Sequence, residues 1–294
     1  MVAVAINNIV SYKDNIFAFQ DEAIASILIN PRVQVQGQDG ISLELGTGGV
    51  LYKFVYLTTK SGSINKWGIT PTRRGIYYYD ALNKALGRVP DMTNQFLSDV
   101  KGLHTYFNNN YDYTSLQVDN PYLRTGAVLG YDNYNNDVYI TLLQGDSSFT
   151  RCFNESIGEF VDLKAYQPST YIYKGEKFFT IPSNNNTIYE QYAGEYNNFF
   201  GSYSPSYVTL MLNPESDYDC IFDTIHFNSE LYLNNVDQPD KTLTHIQAYS
   251  EYQDSGRIQL VNGRGSNLRR KFREWTATIP REDRNRIRNP WIFL

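Results

Sequence analysis

The chain has 294 residues and a formal net charge of −5, with 41% hydrophobic, 19% charged and 15% aromatic residues, including 25 Tyr and 16 Phe. This balance excludes a disordered chain, and the length suits one large β domain or two smaller ones. No stretch approaches the roughly 20 apolar residues of a membrane helix, and two cysteines far apart in sequence, Cys152 and Cys220, make no disulfide framework, which favours two free thiols and a reducing compartment.

The opening ten residues, MVAVAINNIV, lack a basic stretch and a clear cleavage site, so no secretory signal is expected. Asn15–Phe19 and Ile24–Ile29 are short apolar runs around a polar Gln20-Asp21-Glu22, the pattern of a hairpin. Glu44-Leu45-Gly46-Thr47-Gly48-Gly49 is glycine-rich but lacks the Lys-Ser/Thr of a phosphate loop, so a turn is expected there. Leu51–Thr58 alternates loosely. Strands follow at Gly75–Tyr79, Ala85–Val89, Val138–Leu143, Ser148–Phe153, Glu159–Leu163, Ser169–Tyr173, Lys177–Ile181 and Thr187–Tyr192. Later ones are expected at Tyr207–Leu212, Cys220–Phe227 and Leu243–Glu251, with Asn228–Asn235 either strand or loop and Gly194–Ser206 an ordered connection. Thr93–Phe107 is the best helix candidate, with Phe96, Val100, Leu103 and Phe107 at helical spacing and Gly102 as a weak point that allows two short turns instead.

Three segments share a faint repeat of strand, polar turn and returning strand: YYYDALNKALGRV, RCFNESIGEFVDL and FFTIPSNNNTIYEQY. Each turn carries Asn or Asp, whose side chain bonds nearby backbone and tolerates left-handed geometry. The fold class expected is therefore mostly β, an antiparallel propeller-like or related multi-hairpin architecture with few short helices.

Charge divides the chain into an expected β-rich body, 1–256, and a basic C-terminal docking segment, 257–294. The segment holds ten Arg/Lys and three Asp/Glu, a net of +7, against −12 for the rest. Asn267–Thr278 places Leu268, Phe272 and Trp275 at helical spacing but ends in β-prone residues. The candidate interface residues are Arg269, Arg270, Arg273, Trp275, Arg284, Arg286, Arg288 and Trp291, since arginine forks and aromatic rings anchor protein interfaces or clamp a chain onto itself. The same mixture also binds nucleic acid through phosphate pairing and stacking.

Catalytic signals are sparse. His104, His226 and His245 fall in no metal-ligand spacing, and no nucleophile elbow or dinucleotide fingerprint is present. Asp132-Asn133-Tyr134-Asn135-Asn136-Asp137 offers oxygen ligands but lacks the glycine and terminal Glu of an EF-hand loop, so a polar turn is expected. No catalytic residue, cofactor or metal is therefore assigned. A carboxylate pair of glycosidase type remains open, as does glycan binding by Tyr, Trp and Asn side chains.

Taken in order, GYDNYNNDVYIT, FNESIGEFVDL, YDCIFDTIHFNSELY, HIQAYSEYQDSGRIQL, NLRRKFREWTATIPR and RNRIRNPW resemble the C-terminal half of the muzzle-type, or tail-stabilisation, virion proteins of crAss-like bacteriophages. NIFAFQDEAIASILINPRVQVQ resembles the same family, which is similar in role to the tail nozzle, tubular protein B, of T7-like podoviruses. The resemblance implies a non-enzymatic, propeller-containing structural subunit, made in the bacterial host cytoplasm and incorporated into the virion tail. It implies a sixfold homo-oligomeric ring, contacts with other tail proteins, passage of genomic DNA without specific binding, and no membrane insertion. Members of that family are usually much longer than this chain.

Overall fold

The computed structural model describes residues 5–30, 33–36, 42–45, 50–213, 217–233 and 235–294. Residues 1–4 of the opening segment, 46–49 of the expected glycine-rich turn and 234 of the Asn228–Asn235 stretch lie outside the described residues. The chain forms two units, Met1–Pro205 and Ser206–Leu294, and both are built of antiparallel hairpins, as the composition predicts.

Four sheets succeed one another along the first unit. The first contains β1 (Asn8–Tyr12), β2 (Asn15–Phe19), β3 (Ile24–Asn30) and, after the short hairpin of β4 (Val33–Gln36) and β5 (Ser42–Leu45), β6 (Val50–Thr58), in the order β1-β2-β3-β6. The second is β7 (Ile69–Pro71), β8 (Ile76–Asp80), β9 (Ala85–Val89) and β10 (Gln95–Phe96). The third is β11 (Thr125–Asp132), β12 (Asp137–Gln144), β13 (Phe149–Asn154) and β14 (Glu159–Lys164). The fourth has three strands, β15 (Pro168–Lys174), β16 (Lys177–Pro182) and β17 (Tyr189–Glu190), and a small hairpin of β18 (Asn198–Phe199) and β19 (Ser202–Tyr203) follows.

The side chains show how these sheets stack. Ile76 and Tyr78 of β8 pack with Phe17, Phe19 and Ile24 of the first sheet. Their neighbours Tyr77 and Tyr79 point the other way and pack with Val138, Ile140 and Leu142 of β12. On the opposite face of β12, Tyr139 stacks on Tyr171 and Phe178 of the fourth sheet at 5.6 and 5.3 Å. The second and third sheets are thus covered on both faces, so residues 76–79 and 138–143 are apolar or aromatic at nearly every position, and the one polar residue, Thr141, is hydrogen-bonded to Thr150 and Tyr171. Glycine makes two of these approaches possible. A Cβ on Gly87 or on Gly130 would lie 2.2 Å from the ring of Tyr78 or Tyr171, respectively. The described residues close no barrel or propeller.

The three repeated hairpins form, and their turns use the expected chemistry. Asp80 Oδ1 accepts from the backbone of Leu82 and Asn83 at 3.0 and 2.9 Å. Asn154 Oδ1 accepts from Ser156 and Ile157, both at 2.9 Å. Asn185 Oδ1 accepts from Thr187 at 2.9 Å. The helical segment is broken into α1 (Leu97–Val100) and α2 (His104–Asn109), because Gly102 adopts a left-handed φ of 74° between them. A third short helix, α3 (Tyr113–Leu116), is capped by Asp112.

In the second unit, strands from the basic stretch pair with strands that precede it. β20 (Met211–Leu212) pairs with β30 (Ile292–Phe293), and β21 (Cys220–Phe222) with β29 (Ile287–Asn289). β22 (Thr224–Phe227) pairs with β28 (Glu274–Thr278), which also pairs with β27 (Leu268–Lys271). Two small hairpins complete the unit: β23 (Tyr232–Leu233) with β24 (Val236–Asp237), and β25 (His245–Ile246) with β26 (Ile258–Gln259). Asn267–Thr278 is therefore a hairpin, despite its helical spacing. Phe272 and Arg273 form a two-residue turn with φ of 52° and 71°, both left-handed as a type I′ connection requires. Period two wins because Leu268, Trp275 and Ala277 then share one buried cluster with Leu260.

Candidate interface surfaces

The eight basic-segment residues separate into two groups. Trp275 is fully buried in the core of its own unit. Over its ring lies the Arg270 guanidinium, 5.5 Å from the centroid, which also donates to the Pro239 carbonyl and approaches Asp240 at 4.0 Å. Arg286 pairs with Asp223 at 3.2 Å, and Arg288 Nε lies 3.7 Å from Asp219. The Arg288 backbone N–H donates to Gln253 Oε1 at 2.9 Å. Trp291 packs edge-on against Phe293 at 5.2 Å. These five residues clamp the unit onto itself. The ion pairs are largely exposed, so each is worth about 0–1 kcal/mol.

Arg269, Arg273 and Arg284 are different. All three are exposed and make no ion pair among the described residues. Arg273 stands at the β27–β28 hairpin tip beside Phe272, whose side chain is 90% exposed. The Lys271 ammonium lies over that ring, 5.4 Å from its centroid, and an exposed aromatic beside Arg273 has the composition that protein interfaces favour. Sequence reasoning missed the acidic partners Asp219, Asp223 and Asp240. They lie tens of residues from their arginines, and only the strand pairing brings them together.

Between the third and fourth sheets lies an open, polar cleft of about 620 Å³. Tyr134, Asn135, Asp137, Asn154 and Lys164 line one side; Glu176, Lys177, Glu190, Gln191 and Tyr192 line the other. Burial holds the Asp137 carboxyl above its ordinary pKa, although Asn154 donates to it at 2.7 Å. Glu190 is paired with Lys177 at 2.9 Å. The Tyr192 hydroxyl donates to Asp132 at 2.9 Å and lies 2.7 Å from that of Tyr139. The wall thus combines amides, carboxylates, two lysines and the exposed ring of Tyr134, all of them hydrogen-bonding groups or a stacking face.

Asp132 itself is buried, and its carboxylate accepts from the Tyr134 backbone and from Asn135 and Tyr192. The Asp132–Asp137 stretch is accordingly the tight turn between β11 and β12. The histidines stay apart: His104 pairs with Asp99 at 2.9 Å, His226 lies 3.4 Å from Glu274, and His245 contacts Thr244 and Arg257. Both cysteines are free, with Cys152 buried and its thiol pushed up by that burial. Among the described residues, no group of three or more His, Cys, Asp or Glu is placed to hold a metal ion, and no helix is long and apolar enough to cross a membrane.

Comparison with known proteins adds three findings. Residues 5–184 match the family profile of the Crassvirus muzzle protein. Residues 194–282 match that of the Crassvirus muzzle protein C-terminal domain. The chain is also 30% identical to the muzzle protein of Bacteroides phage crAss001, an alignment that covers 97% of this chain and 20% of that protein. It thus spans about a fifth of the length of the curated relative it matches.

Proposed function

Because the chain belongs to the Crassvirus muzzle protein family, we propose that it is a non-enzymatic structural subunit of the tail of a short-tailed bacteriophage, assembled as a ring around the channel through which DNA leaves. The observation that supports this proposal is a set of uncovered cationic and aromatic side chains on the second unit: Phe272, Arg269, Arg273 and Arg284 each face solvent. Residues 1–205, the first unit, hold 15 Arg/Lys and 19 Asp/Glu, a net charge of −4, so the first unit of one copy offers such a surface an acidic counterpart on the next. Head-to-tail contacts of that kind close into rings when the rotation between copies is right. The acidic body also suits a conduit, because it repels phosphates rather than holding them. Made in the host and built into the virion, the subunit needs neither cofactor nor specific contact with DNA; other tail proteins would be its neighbours.

The test must spare the fold. Removing 257–294 would strip the partners of β20, β21 and β22, so loss of assembly would report only unfolding. Reversing Arg269, Arg273 and Arg284 together to Glu keeps every described pairing. Rings seen by electron microscopy for the parent chain should disappear in the triple variant while circular dichroism is unchanged. Intact rings in that variant would refute the proposal.

The cleft between the third and fourth sheets favours a second role, recognition of a host-surface glycan. Binding on a glycan array that is lost in Tyr134→Ala would support it; an array without hits would remove it.

A further inference from the structure

The turn that joins β27 to β28 is built from residues that a turn does not favour. A two-residue connection of this kind holds both central residues in the left-handed region and is usually Asn-Gly or Asp-Gly. Asn136, Asn184 and Asn197 take left-handed positions at other turns of this chain. Here Phe272 and Arg273 take them, with φ of 52° and 71°, and a bulky side chain in that region is strained. Neither side chain recovers that strain through burial or, among the described residues, through an ion pair. The strands beneath hold the tip in place, because Trp275 is fully buried and Arg270 donates to the Pro239 carbonyl. The hairpin therefore presents an aromatic ring and a guanidinium together, as a fixed knob.

The cleft between the third and fourth sheets has the complementary chemistry. Tyr134 and Tyr192 line it and are 69% and 65% exposed. Both of its lysines are already paired, Lys164 with Asp162 at 2.6 Å and Lys177 with Glu190 at 2.9 Å. Asp137 and Glu176 also line the cleft, and among the described residues neither makes an ion pair. The charge left over in the cleft is thus negative. Glu176 stands on its rim, in the two-residue turn between β15 and β16, where an arriving chain meets it.

We propose that the Phe272–Arg273 tip of one copy inserts into this cleft on the next copy, with the phenyl ring against Tyr134 and Tyr192 and the guanidinium on Glu176 and Asp137. The contact deepens the ring reading and rests on it. At about 620 Å³ the cleft has room for both side chains. Aromatic rings and arginine are the groups that anchor protein interfaces, and a guanidinium fork matches a carboxylate. Knob and cleft are different surfaces, so the contact is heterologous. Each copy offers one of each, and repetition gives a closed ring or a filament rather than a two-fold dimer.

Sedimentation of the purified full chain should show association that grows with concentration. Glu176→Arg should weaken it by about tenfold or more, with an unchanged circular dichroism spectrum. Phe272→Asn should do the same, although Asn suits the left-handed turn better and keeps the fold. Arg273→Glu should also weaken association, and combining it with Glu176→Arg should restore it to near the parent level, which only a direct pairing of the two positions explains. A parent chain that stays monomeric, association indifferent to Glu176→Arg, or a double variant no better than either single one would overturn the proposal. If rings are still lost on reversing the three arginines, the last two results leave the ring reading standing and place its acidic counterpart elsewhere. A glycan-array signal lost in Glu176→Arg while self-association persists would give the cleft to a sugar and likewise overturn the proposal.

Discussion

At the scale of single residues, burial governs Asp137 more than any ion pair does. Its folded-state pKa lies above the ordinary carboxylate value, so the native chain binds this proton more tightly than the unfolded chain. Between the unfolded and folded values, stability from this group therefore rises as pH falls; at neutral pH the cost of the buried charge is fully present. Asp137→Asn should raise the melting temperature at pH 7 and have progressively less effect as pH approaches 4, read by thermal denaturation across that range. Trp275 makes the opposite demand. Fully buried in the small core of the second unit, it should cost about 3–5 kcal/mol when cut to alanine. Exposed Arg269→Ala should stay within about 0.5 kcal/mol; chemical denaturation separates the two. Turn residues were the most legible feature of the sequence, because Asp80, Asn154 and Asn185 act on backbone only two or three residues away. The roles of Trp275 and Arg270 were not legible, since strand pairing across tens of residues decides which side of the unit each faces.

For whole elements, contact between sheets decides what a sequence tolerates. Gly130 lets the Tyr171 ring rest on β11, and Thr141 completes the site by bonding the Tyr171 hydroxyl at 2.6 Å. Gly130→Val should destabilise the first unit by about 1–3 kcal/mol, or more if the fourth sheet separates, and the loss should appear as a lower denaturation midpoint. Gly158→Ala, at a turn where an added Cβ meets nothing, pays only the left-handed φ of 77° and should cost less. The same contacts explain which elements could be foreseen. β8, β12 and β13 are recognisable from their own residues, because dense aromatic and β-branched runs suit strands packed in a sheet. Asn267–Thr278 carries a helical spacing as well as a period of two, and its tertiary cluster selects the strand. Gly102 breaks the expected helix at a position where its left-handed φ has no steric cost.

Across the whole molecule, the serial order of four sheets matches the repeated hairpins seen in the sequence, and family membership agrees with the resemblance carried by its motifs. What the sequence could not display is the fate of the cationic segment, half of which is consumed in holding its own unit together. The exposed Arg269, Arg273 and Arg284, with Phe272, are the residues proposed to meet a neighbour, and assembly around the tail channel is the central claim. A cryo-electron microscopy reconstruction of intact virions tests it most directly. The account predicts density for both units of this chain, repeated in a closed ring around the distal tail axis, with the β27–β28 tip against an acidic surface of the adjacent copy. Virions in which this chain is absent from the tail, or present as a single copy away from the axis, would contradict it.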